Sequence, residues 1–150
     1  MAASCPVDFD TVRLRNEIQS IYSRVASVPN GEFHFHRGAE YAATFLRYDR
    51  QALGRIPAFA VESFAGVGNP LRVDRIAPGS TVVDIGCGAG TDLLLAANAA
   101  GSDGRAIGVD MTDSMIRKAE AAAAEAGLPN VQNELRLGGA ELGREARIRS

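Results

Sequence analysis

The sequence predicts a parallel α/β fold, a sheet flanked by helices and preceded by a helical extension. Three observations predict it. A short β-branched run at residues 80–85 leads at once into three alternating glycines and an apolar helix. A second strand and a strongly helical stretch follow at 105–109 and 114–126, and a third strand opens near Val131. Strand, helix, strand, helix, strand is the order in which right-handed crossovers join parallel strands.

The extension begins with residues 10–28, where Leu14, Ile18, Ile21, Tyr22 and Val25 recur at helical spacing. Asp8, Asp10 and Thr11 are available as N-caps, and Pro29-Asn30-Gly31 ends the run. The apolar stripe reads as a packing helix. Residues 32–38 (EFHFHRG) alternate; if extended, they send His34 and His36 to one side and Phe33 and Phe35 to the other. A metal site wants three or four ligands, and these two histidines have no cysteine near them, so no metal is expected. Residues 38–63 predict two or three short helices, with Asp49 and Pro57 as start signals. Gly66-Val67-Gly68-Asn69-Pro70 must be a turn or loop.

Past Pro78-Gly79, residues 80–85 read as a buried strand because three of the six are β-branched valine or isoleucine and a fourth is threonine. The helix at 91–100 stops at Gly101. The helix at 114–126, capped by Thr112 or Asp113, has a marked end: Gly127 for the left-handed position, Leu128 as its apolar partner and Pro129 beyond. The expected division is a helical extension at 1–76, an α/β unit at 77–142 and an irregular, arginine-rich tail at 143–150.

With 46% hydrophobic and 23% charged residues, the 150-residue protein has an ordinary globular composition. A net charge of −2, with no basic patch interleaved with aromatics, argues against nucleic acid and anionic membrane as partners. Cys5 and Cys87 cannot build a disulfide framework, no secretory signal is visible, and no apolar run approaches a bilayer's thickness. A cytoplasmic protein acting on a small molecule is expected; its oligomeric state is not encoded in any motif.

The chemistry lies in Val82-Val83-Asp84-Ile85-Gly86-Cys87-Gly88-Ala89-Gly90-Thr91-Asp92. Alternating glycines let a ligand approach the backbone, and the helix that starts there aims free N–H groups at it. About twenty residues on, Asp110 ends the next strand with a carboxylate, where ribose hydroxyls are bound in doubly wound folds. Together they read as a nucleoside site. Dinucleotide enzymes use G-x-G-x-x-G, which docks a pyrophosphate. Here the spacing is G-x-G-x-G, and Asp84 two residues earlier would repel a pyrophosphate yet suit a cationic ligand. That favours S-adenosylmethionine (SAM) over NAD. An NAD-type oxidoreductase module is the disfavoured rival.

VVDIGCGAGTD with GVDMTDSMIRKA resembles the first motif and the following acidic strand end of class I SAM-dependent methyltransferases. The resemblance implies a Rossmann-like class I methyltransferase fold with SAM as cofactor. It puts Asp84 near the methionine ammonium, Gly86, Cys87, Gly88 and Gly90 along the loop, Asp110 on the ribose and Met111 against the adenine. Upstream, residues 21–26, the FHFHRG stretch and residues 60–70 resemble a bacterial group related to arsenite methyltransferases, a likeness running from about Phe9 to about Asn130. Trivalent arsenic is thiophilic, and those enzymes place a cysteine in the middle of Gly-Cys-Gly-Asn-Pro; here that position is Val67.

An acid that binds the adenine amine usually follows the third strand in the family; Gly139 stands there, within residues 136–141. A doubly wound sheet has about six strands, and only three are legible, so the fold is expected to be incomplete, with a truncated C-terminal half. The implied function is methyl transfer from SAM to a small acceptor, arsenite by resemblance. The alternative is a truncated SAM-binding or interaction fragment without turnover. No residue can be assigned as a catalytic base.

Overall fold

The computed structural model describes residues 10–29 and 31–135. Cys5, Asp8, Asn30, the 136–141 stretch and the 143–150 tail lie outside them. Helix α1 (Thr11–Ser27) starts where Asp10 accepts the Arg13 N–H, as the capping signal requires. Residues 32–37 form no strand and bend at His34 and Phe35. Phe33 and Phe35 still share a side, their rings 5.5 Å apart, while His36 stacks on Tyr41 and Phe45. Three short helices follow: α2 (Gly38–Thr44), α3 (Arg50–Leu53) and α4 (Ala58–Glu62). Asp49 caps α3 by accepting the Gln51 N–H, and Pro57 precedes α4. The 66–70 segment is a loop, and Asn69 caps a one-turn 3₁₀ helix, Pro70–Arg72, that the sequence pattern does not predict.

Strands β1 (Thr81–Ile85), β2 (Arg105–Asp110) and β3 (Val131–Leu135) form a parallel sheet in the order β1-β2-β3. Helices α5 (Thr91–Ala100) and α6 (Asp113–Glu125) connect them. The end of α6 carries both hydrogen bonds of a Schellman motif, Leu128 N–H to Ala123 O and Gly127 N–H to Ala124 O, with Gly127 at φ 64°. This α/β architecture, a parallel sheet flanked by helices, is the one the sequence predicts.

The main core joins both parts of the molecule. Tyr48, Leu53, Ile56, Val61 and Phe64 pack in one cluster with Leu93, Leu94, Ala106 and Ile116. Helix α1 docks across α6: the Gln19 amide donates to the Met111 carbonyl, and the Lys118 ammonium donates to the Ala26 carbonyl and the Ser63 hydroxyl, each at 2.8 Å. Burial pushes the Lys118 pKa down, opposed by the charge of Glu62.

One expectation fails. Strand β1 is not buried: Val83 is 53% and Ile85 69% exposed. Val83 pairs with Ile107 and Ile85 with Val109, so these four share the face opposite Gly108, which abuts Leu93 of α5; on that face Val109 is buried while Val83 and Ile85 are left open. Among the described elements, β1 is also an edge strand, paired only with β2.

Candidate functional site

The carboxyl ends of β1 and β2 open into a cavity of about 520 Å³. In a parallel sheet this end gathers strand-to-helix loops and helix N-termini, and ligands bind there. Its wall includes Gly86, Cys87, Gly88, Asp110 and Met111, all singled out from the sequence. Backbone geometry accounts for the glycines. Gly86, Gly88 and Gly90 have φ of 82°, 53° and 94°, which side-chain-bearing residues rarely adopt. At Gly86 and Gly88 an added Cβ would stand in open space, so their bare backbone is accessible to a ligand.

Gly90 differs. It does not line the cavity, and its Cβ would meet Leu94 Cδ1 at 2.8 Å and Ala119 Cβ at 3.1 Å. The third glycine therefore serves the approach of α5 to α6. Asp84 is also absent from the wall. It sits beneath the loop, its Oδ2 buried and without a partner. Burial, then the charges of Asp92 and Asp110, push its pKa up to about 6. An unpaired buried carboxylate oxygen in a protein interior is costly unless a cation compensates it.

Asp110 is held at both oxygens: Oδ2 accepts the Gly88 N–H at 2.9 Å and Oδ1 the Thr112 N–H at 2.8 Å. A carboxylate has about four lone-pair sites, so capacity for vicinal hydroxyls is left over. The Cys87 thiol is buried, and burial with the charges of Asp84 and Asp110 pushes its pKa up to about 12. At neutral pH it is a small apolar group and not a nucleophile or soft ligand.

Several wall residues lie outside the glycine motif and its acid, some of them in the 21–26 and 60–70 stretches that carry the upstream resemblance. Ile18 and Tyr22 come from α1, whose stripe reads as packing; Leu14 and Ile21 on it are 39% and 40% exposed. Ser63, Phe64, Ala65, Gly66 and Val67 close another side. Asp92, in the first turn of α5, brings a second carboxylate to the wall. Its place in the glycine motif was the available signal, but an acid at a helix N-terminus reads first as a dipole partner. His34 and His36 do not line the cavity. Among the described residues, no group of three or more His, Cys, Asp or Glu is placed to hold a metal ion, and no helix is long and apolar enough to cross a membrane.

The cavity thus presents bare loop backbone, a ribose-competent acid, carboxylates without a facing cation, and an apolar wall that includes Met111 and Met115. Such a set suits a nucleoside carrying positive charge. Comparison with known proteins points the same way. Residues 76–137 match a family described as a methyltransferase domain. An arsenite methyltransferase of Halobacterium salinarum is 52% identical over 93 residues, 62% of this chain and 23% of that protein. A nocamycin O-methyltransferase of Saccharothrix syringae is 40% identical over 93 residues, 61% of this chain and 32% of that protein. The crystal structure of an arsenic(III) S-adenosylmethionine methyltransferase from Chlamydomonas reinhardtii is similar at a TM-score of 0.50 and 33% identity, covering 56% of this chain and 30% of that one. The protein therefore spans between 23% and 32% of the length of these two sequence relatives.

Proposed function

From the match of residues 76–137 to a methyltransferase domain family, we propose that the cavity binds SAM and serves methyl transfer to a small-molecule acceptor. The observation that carries this is the pairing of open glycine backbone at Gly86 and Gly88 with Asp110, which is locked at the end of β2. Bound SAM supplies an electrophilic methyl group on a sulfonium. The protein's own residues do the rest. Gly86 and Gly88 give backbone access, Asp110 accepts ribose hydroxyls, and Met111 lies on the wall for the adenine. Asp84 and Asp92 supply negative charge for the cationic end, and Ile18, Tyr22 and Phe64 exclude water. Catalysis by alignment needs no protein base, and none is assigned.

For the acceptor we propose arsenite, by likeness to the Halobacterium and Chlamydomonas proteins. Trivalent arsenic prefers thiolate ligands. Among the described residues the thiol on this cavity's wall is Cys87, held protonated, and Val67 stands 96% exposed in the upstream loop. Arsenite would therefore enter with thiol ligands brought from outside the described wall.

The test is a thermal melt of the protein with SAM and, as control, NAD. A ligand that binds only the folded state at a hundred times its Kd stabilises by about 2.7 kcal/mol, several degrees for a domain of this size. SAM is expected to raise the melt and NAD to leave it in place; equal shifts would remove the methyltransferase reading. Transfer of labelled methyl to arsenite, supplied with a small thiol, then tests the acceptor. Binding of SAM without that transfer would retire arsenite and leave the cofactor in place.

A further inference from the structure

Tyr48 lies outside the glycine motif, 44 residues before Asp92, and is 5% exposed. Its ring meets Phe64 edge-on at 5.3 Å. Its hydroxyl is 2.6 Å from Asp92 Oδ1 and 3.1 Å from the Gly68 carbonyl oxygen. A hydroxyl has one proton to donate. The 2.6 Å contact falls in the range of a charge-assisted O–H···O⁻ bond, so the proton is given to Asp92 while that carboxylate is ionised. The adjoining turn is fixed to the same loop, since the Asn69 amide donates to the Arg47 carbonyl at 3.4 Å and Arg47 adopts φ 59°. Tyr48 thus stands between two parts of the cavity wall, Asp92 on α5 and the loop carrying Gly66 and Val67.

We propose that Tyr48 is a positioning residue for the cofactor site: its hydroxyl orients the Asp92 carboxylate on the cavity wall, beside the 66–69 loop. This rests on the SAM reading above. Burial raises the Asp92 pKa, and the Tyr48 hydrogen bond works against that rise. The ionisable groups acting with this pair are Asp84 from β1, whose charge acts on Tyr48 as well, and Asp110 from β2, which shares the cavity wall. The charges of Asp92 and Asp110 disfavour the ionisation of Asp84. The Tyr48 donor favours the charged form of Asp92 against its burial. Once Asp92 is protonated, the Tyr48 proton is free to turn to Gly68, so the charge on the wall and the hold on the loop change together.

The test uses Tyr48→Phe, which keeps the ring and its packing on Phe64. Three readouts separate positioning from mere packing. The Asp92 carboxyl, followed by NMR without ligand, is expected to titrate at higher pH in Tyr48→Phe than in the wild type. Calorimetry at pH 7 is expected to show SAM bound roughly tenfold more weakly, the loss of one hydrogen bond to a charged group. In an Asp92→Asn background the same change should weaken SAM by less than about threefold, because coupled groups do not add. An unmoved Asp92 titration overturns the proposal, as does an equal loss of affinity in the two backgrounds. Failure of the wild type to bind SAM sinks the cofactor reading instead, and the Asp92 titration still decides whether Tyr48 holds that carboxylate.

Discussion

Alanine at Gly88 is expected to remove most SAM affinity while the protein stays folded; alanine at Gly90 is expected to unfold it at modest temperature. Both glycines have positive φ, so each substitution carries a backbone penalty of about 1–2 kcal/mol. They differ in what the new methyl meets. At Gly88 it meets nothing within 4 Å and projects from a residue of the cavity wall, taking space the ligand needs. An overpacking cost of about 1–3 kcal/mol, felt only by the complex, lowers affinity roughly ten- to a hundredfold. At Gly90 the methyl meets Leu94 Cδ1 of α5 itself and Ala119 of α6, whose Cβ and backbone Cα give way only if α6 moves from α5. Overpacking then adds to backbone strain in the free protein, on the order of 3 kcal/mol in all, a large share of a small domain's stability. Melts and SAM titrations of the two variants decide it. Equal melting temperatures, or undiminished SAM binding by Gly88→Ala, would show that the loop's glycines are not divided this way.

Asp84→Asn is expected to stabilise the ligand-free protein and to weaken SAM binding. The folded-state pKa of Asp84, about 6, lies above the ordinary 3.8 because burial and two neighbouring carboxylates penalise its charge. Between those values the folded state holds the proton more tightly than the unfolded state does. The contribution of Asp84 to stability is therefore favourable at low pH, declines as pH rises from about 4 to 6, and stays diminished above that. At roughly 1.4 kcal/mol per pKa unit, reduced for partial solvation, asparagine should add about 2 kcal/mol at pH 7 and little at pH 4. Ligand binding has the opposite sign. A cationic ligand favours ionised Asp84, so wild-type SAM affinity should fall about tenfold between pH 7 and pH 5, and the Asn variant should lack that slope. A destabilised Asn variant, or a wild-type affinity flat across this range, would contradict this assignment of Asp84.

How far the sequence could disclose this site depends on the distance over which each feature is decided. Helix α5, the end of α6 and the cap of α3 are local matters, settled by Gly101, by Gly127-Leu128 and by Asp49, and their limits were legible. The exposure of β1 was not. β-Branched residues show that a stretch is extended, but whether Val83 and Ile85 are covered depends on elements far away in sequence. Asp110 could be read as a site acid because a strand end followed by a helix cap is a local pattern. Gly90 could not be told from Gly86 and Gly88, since the difference lies in Ala119, a helix away. Tyr48 left no trace in the glycine motif, and Ile18 and Tyr22 are apolar residues at helical spacing whether they face a core or a ligand.

The docking of α1 on α6 also sets an order of events during synthesis. The contacts that hold α1, Gln19 to Met111 and Lys118 to Ala26, each join residues 92 positions apart. At about 5–20 residues per second on the ribosome, α1 is made several seconds before the helix that receives it. A 17-residue helix is marginal alone in water, and Leu14 and Ile21 of its stripe stay exposed in the finished fold. The wall formed by Ile18 and Tyr22 is therefore the last side of the cavity to close in a newborn polypeptide. In the mature protein it is the first to loosen, so amide exchange along α1 should run ahead of α5.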